Sequence, residues 1–124
     1  MKRLTICMLV LLMALGVASM ALAEEKAMVV HFVVVPSDSP GVNYATEVPE
    51  LQKMLTRLAG GYTAMGATHG GSAKDTGLTA EQNMSYMVAA KKNVAAEIST
   101  YVTEHFKEEP FILVWNAQRY SQDK

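Results

Sequence analysis

Ala27-Met28-Val29-Val30-His31-Phe32-Val33-Val34-Val35 is β-branched almost throughout, and Pro36 stops it. Branching at Cβ favours the pleated chain over the helix, so this stretch reads as a strand. Alternate residues of a strand point to opposite faces. One face of this run shows Met28, Val30, Phe32 and Val34, and the other shows Val29, His31, Val33 and Val35. Both faces are apolar, which predicts a strand in the middle of a sheet.

The rest of the chain arranges itself around that strand. Pro36 to Ala45, rich in Ser, Asp, Pro, Gly and Asn, reads as a loop. A helix is predicted over about 47–59, capped by Thr46 with Pro49 in its first turn. Val48, Leu51, Leu55 and Leu58 form its apolar stripe with Met54 beside them, and Gly60-Gly61 ends it. Tyr62 to His69 reads as a weaker strand broken by Gly66, Gly70 to Glu81 as a turn-rich connector, and Gln82 to Ala89 as a third strand. A second helix is predicted from Lys91 to Lys107, with Val94, Ile98, Tyr101, Val102 and Phe106 as its stripe. Pro110 blocks its continuation, Phe111 to Trp115 is the last strand, and 117–124 reads as a loose tail. The order β-α-β-β-α-β is that of the ferredoxin-like α+β fold. It predicts a four-stranded antiparallel sheet ordered 4-1-3-2, with both helices on one face.

The N-terminus carries a different message. Lys2 and Arg3 precede an uncharged apolar run from Ile6, and Ala21-Leu22-Ala23 supplies small residues ahead of Glu24. This is the pattern of a signal peptide cleaved after residue 23, and it implies export to a bacterial periplasm or the medium. Ile6 to Ala23 is also just long enough to span a bilayer, but the Ala-x-Ala ending and Glu24-Glu25-Lys26 favour cleavage over an anchor. The remaining 24–124 is one domain. Without Lys2 and Arg3 it holds 9 basic and 12 acidic residues, formally −3, with no basic stripe to suggest nucleic acid. The single cysteine, Cys7, lies in the leader, so the mature domain has no disulfide and no thiol nucleophile.

Candidate chemistry is sparse. His31, His69 and His105 show no metal-ligand spacing, and strand order holds His31 and His69 apart. Met28, Met54, Met65, Met84 and Met87 are scattered, as core filling requires, although thioethers also suit an exported copper carrier. Gly60 to Ser72 lacks the phosphate-loop pattern, and its glycines suit a helix stop and a bulge near Gly66. Tyr62, Thr63, Thr68 and His69 are candidate ligand contacts within it, with His31 and Tyr86 as further polar candidates on the strands. No nucleophile constellation and no cofactor motif occurs.

Gly60-Gly61-Tyr62-Thr63, then Gly66 and His69-Gly70, then Glu81-Gln82-Asn83 entering a strand, resembles a family of small bacterial and phage-associated domains with a GG-x-T start and a glycine-spaced strand. The likeness covers about 30 residues. Gly71-Ser72 stands where many members carry an aromatic, and the resemblance implies fold without an activity.

The functional expectation follows from the surplus of apolar faces. Two helices cover one side of a sheet, yet both sides of the central strand are apolar. Phe111, Leu113 and Trp115 repeat the excess on the last strand, opposite Ile112 and Val114. Exposed patches of ~400 Å² are near the limit for monomers. Two such patches meeting would give about 20 kcal/mol gross at ~25 cal/mol/Å², against roughly 4–15 kcal/mol lost on association. The sequence therefore predicts a non-catalytic binding or assembly module that forms a homo-oligomer through its sheet and holds a small-molecule or protein ligand. Two readings stay open beside it: a small enzyme or ligand-sequestering protein of the dimeric α+β barrel type, and an exported metal carrier. An enzyme would gather His31, Tyr86 and Asn83 in a closed cavity, whereas an assembly module would present a dry sheet face.

Overall fold

The computed structural model describes residues 26–74 and 77–120. The predicted leader, residues 1–23, and the last four residues lie outside them. Met28–Ala117 is one compact unit; of the other, Met1–Ala27 with Gln118–Lys124, the described residues include only the ends of two strands and Tyr120. The elements are β1 (Lys26–Pro36), α1 (Tyr44–Ala59), β2 (Thr63–Lys74), β3 (Gly77–Ala90), α2 (Ala95–Phe106) and β4 (Phe111–Arg119). They form one four-stranded sheet in the order β2-β3-β1-β4, the predicted ferredoxin-like topology. No helix among the described residues is long and apolar enough to cross a membrane.

One layer of core lies between the sheet and the helices. Val33 and Val35 of β1 and Tyr86, Val88 and Ala90 of β3 face Leu51, Met54 and Leu55 of α1. Ile98, Val102 and Phe106 of α2 complete the layer, and Ile112 of β4 packs against its edge. Both predicted helical stripes point inward, as their 3.6-residue period requires. Each fully buried Leu, Ile or Phe contributes about 1.5–3 kcal/mol relative to exposure. A domain without disulfides draws its stability from this layer.

Several predicted boundaries move, each for a tertiary reason. Helix α1 starts at Tyr44, not near 47, and its cap is Asn43, not Thr46. Tyr44 is anchored twice: its ring lies 5.8 Å from that of Phe106, and its hydroxyl accepts the Ser39 N–H at 2.7 Å. Pro49 therefore falls in the second turn of the helix, inside the element. Helix α2 starts at Ala95, four residues later than predicted from Lys91, because the Val94 and Ala95 amides are bound by side chains described below. Strand β4 runs on to Arg119, so the expected loose tail from 117 is strand at its start.

The glycine-dense connector differs most. Gly70 to Glu81 is not an irregular loop. It is the far end of a β2–β3 hairpin, in ladder register from Gly70↔Glu81 to Lys74↔Gly77. Small and polar residues hide the strand signal, and none of the ribbon's described residues belongs to the core. The bulge predicted at Gly66 is present: the register shifts between Ala64 and Gly66, and Gly66 has φ +88°. An added methyl at Gly66 meets no atom within 4 Å, so only the backbone resists substitution. Gly66→Ala is expected to lose about 1–2 kcal/mol, the strain of an L-residue in the left-handed region. Gly61→Ala, equally open but with an ordinary φ, should change stability by less than about 0.5 kcal/mol. Urea midpoints at unchanged m-value measure both.

Candidate functional site

The sheet has a covered face and an open one, and the predicted candidates divide between them. His31 is fully buried on the covered face. Its Nε2 accepts the Val94 N–H at 3.0 Å, so the ring proton sits on Nδ1 and is donated to the Val88 carbonyl at 3.2 Å. Asn93 Oδ1 accepts the Ala95 N–H at 2.9 Å. Its 3.3 Å approach to His31 Nε2 is therefore a meeting of two acceptors. His31 and Asn93 together bind the first amides of α2, which explains why that helix starts where it does. His31 is a structural link between β1 and α2.

Tyr86 and Tyr62 belong to the same covered side. Tyr86 is 2% exposed, and Tyr62 meets it edge-on with ring centroids 5.8 Å apart. Burial pushes the Tyr86 hydroxyl above its ordinary value, while a side-chain hydrogen bond with Gln52 pulls it down and the charge of Tyr62 pushes it up. A raised phenol stabilises the fold below its unfolded value and loses that contribution as pH climbs through the folded one. Stability should therefore fall above about pH 10, and more steeply in the native chain than in Tyr86→Phe. Unfolding midpoints between about pH 9 and 11 test this.

The third histidine also has a structural role. His105 Nδ1 lies 2.8 Å from Glu47 Oε2, joining α2 to α1. Tyr101 stacks on the His105 ring at 4.1 Å and 15°. Burial, then the charges of Glu47 and Glu50, raise the Tyr101 hydroxyl, and Arg57 opposes them. His69 stands exposed on the hairpin opposite Gln82, with β3 between its strand and β1. The three imidazoles do not meet. Among the described residues no three His, Cys, Asp or Glu side chains form a set that could hold a metal ion. The methionines divide as well. Met54 is buried and Met84 packs on the core, but Met65 and Met87 are 52% and 38% exposed, so core filling accounts for only part of the set.

The open face is graded along its length. At one end Val30 pairs with Ala89 and Phe32 with Met87. Leu113 and Trp115, alternating with the inward Ile112, are 49% and 43% exposed. The loop after β1 leaves them uncovered, because Val42 packs into the helix-side core instead. Toward the other end Val34 pairs with Ser85 and Pro36 with Asn83. There the face turns polar. Thr68 and Ser85 share a hydroxyl hydrogen bond of 2.8 Å, and Ser85 is only 1% exposed. Asn83 sits over Gly70, where an added Cβ would lie 3.2 Å from its Nδ2.

A groove of about 660 Å³ opens at this polar end. Phe32, Val34 and Phe111 give it apolar walls, Thr68, Asn83 and Ser85 give it polar ones, and Asp38, Glu81, Glu108 and Glu109 add carboxylates. Of the predicted ligand residues, Thr68 and His69 line this groove, Thr63 stands exposed at the start of β2, and His31, Tyr62 and Tyr86 lie on the covered side; Asn83, expected in an enzyme cavity with His31 and Tyr86, lines the groove instead. The closed cavity expected of an enzyme does not gather them. Nor is the whole face dry, as a pure assembly module would have it. Alternation hid the groove: its polar residues lie on β2 and β3, and only the ladder register brings Thr68 beside Asn83 and Ser85.

No protein-family model matches the sequence, and a comparison with curated proteins gives no match. Among solved structures, CutA from Synechococcus elongatus superposes with a TM-score of 0.55 at 11% sequence identity. The likeness covers 83% of this chain and 88% of that one. Identity this low carries no residue roles across. What the two chains share is the fold, a β-α-β-β-α-β chain whose two helices lie on one side of a four-stranded sheet.

Proposed function

We propose that this chain is an exported, non-catalytic module that forms a homo-oligomer through the open face of its sheet. The observation that carries the reading is the apolar end of that face, where Leu113 and Trp115 stand half-exposed on β4, the neighbour of the strand that carries Val30 and Phe32. Those side chains are held on strands of the sheet, so an apolar surface is presented without the ordering cost of a loop. Export rests on the leader pattern of Lys2-Arg3, the apolar run and Ala21-Leu22-Ala23.

Sedimentation velocity of the secreted chain over a hundred-fold concentration range tests the association. The expected result is a species of twice the chain mass or more at micromolar concentration, dissociating on dilution. A strict monomer at every concentration overturns it. Intact mass of the same sample tests export, with a chain starting at Glu24 expected and a chain retaining residues 1–23 counting against it.

A further inference from the structure

We infer that the groove at the polar end of the open face binds a small organic cation, an ammonium carried on an aromatic or alkyl body. Its size falls within the range of small-molecule sites, roughly 300–1,000 Å³. Every wall comes from one chain, so the inference does not rest on the association proposed above.

Two features select the ligand class. The first is aromatic: Phe111 is 58% exposed and, with Phe32, lines the groove. An exposed ring face attracts a cation by about 0.5–1 kcal/mol, and more when water is displaced. An ordinary apolar ligand would use the same rings, so the second feature decides. Asp38, Glu108 and Glu109 stand around the groove, and among the described residues no Lys or Arg lines it. A carboxylate ligand is thereby repelled, and a neutral one must desolvate charges without compensation. A metal ion fits less well, since these groups do not converge into a ligating set. An ammonium with an apolar body satisfies both walls at once. The Thr68 and Asn83 side chains then offer oxygens to its N–H donors.

Calorimetric titration of the secreted chain with phenethylamine, at low salt and neutral pH, tests the inference. Controls are 2-phenylethanol and 3-phenylpropionate, which keep the ring and change only the charge. Phenethylamine should bind at least ten-fold more tightly than either, and salt should weaken it. The double substitution Glu108→Gln/Glu109→Gln should weaken phenethylamine at least five-fold and leave 2-phenylethanol unchanged. Both positions are exposed beyond the end of α2 and outside the core, so the fold should survive. Phe111→Leu, which keeps apolar bulk, should cost about three-fold for the amine alone. Equal binding of the amine and the alcohol overturns the inference, as does an amine affinity indifferent to the double substitution. Repeating the titration with Leu113→Gln, which lies outside the groove lining, separates this result from association. Amine binding should persist there even where the oligomer is lost, and its loss would mean that the groove is not complete within one chain.

Discussion

His31→Phe is expected to destabilise the domain by about 2–3 kcal/mol, although it keeps a ring in a fully buried position. Phenylalanine fills most of the imidazole's space, so the cavity contribution is small. What it lacks is the acceptor at Nε2. The Val94 amide, at the N-cap of α2, then has no partner inside a residue that is itself fully buried. An orphaned buried donor costs about 1–3 kcal/mol, and the Val88 carbonyl loses the Nδ1–H that His31 donates to it. For a domain near this size each kcal/mol lowers Tm by roughly 4–8 °C. Thermal unfolding should therefore show a fall of about 10–20 °C. Hydrogen exchange gives a second signature, since Val94 and the first turn of α2 should exchange faster while β2 keeps its protection. A Tm within a few degrees of the native value would mean that the hydrogen bond contributes little.

Leu113→Gln/Trp115→Gln should weaken the oligomer by at least a hundred-fold while leaving the monomer folded. Both side chains are already about half-exposed in the single chain, and neither belongs to the core layer. Intramolecular stability should shift by less than about 1 kcal/mol. In the oligomer each substitution removes buried apolar area worth about 1.5–3 kcal/mol and buries an amide without a partner. In a two-fold arrangement every loss counts twice. The change is neutral, so it cannot act by simple charge repulsion. Sedimentation should return a monomer at concentrations where the native chain is assembled. An unchanged oligomer would place the interface elsewhere, for example along the free edge of β2 or β4.

These two outcomes probe opposite faces of the same sheet, and they show where the sequence was readable. The alternation of β1 announced both faces, and the helical stripes identified which residues would meet it. Val48, Leu51 and Leu55, and Ile98, Val102 and Phe106, needed only their spacing to be placed inward. The hairpin end, Gly70 to Glu81, carries a weak strand signal because such signals depend on a core to face, and none of its described residues belongs to the core. His31 reads as a ligand candidate in the sequence, because a polar residue on an apolar face is ambiguous until its partners are known. Its partners are Val88, 57 positions away, and Val94, 63 positions away, and no local pattern announces them.

Local chemistry was enough for the element order, the sheet topology and the excess of apolar surface. Each of those follows from periodicity and from glycine and proline positions, which act over one or two turns of chain. Tertiary structure alone decided which face of β1 the helices cover, where α1 and α2 begin, and that Thr68, Asn83, Ser85 and Phe111 share a groove. Those features depend on ladder register and on hydrogen bonds between distant residues, whose energies are set only once the strands have paired.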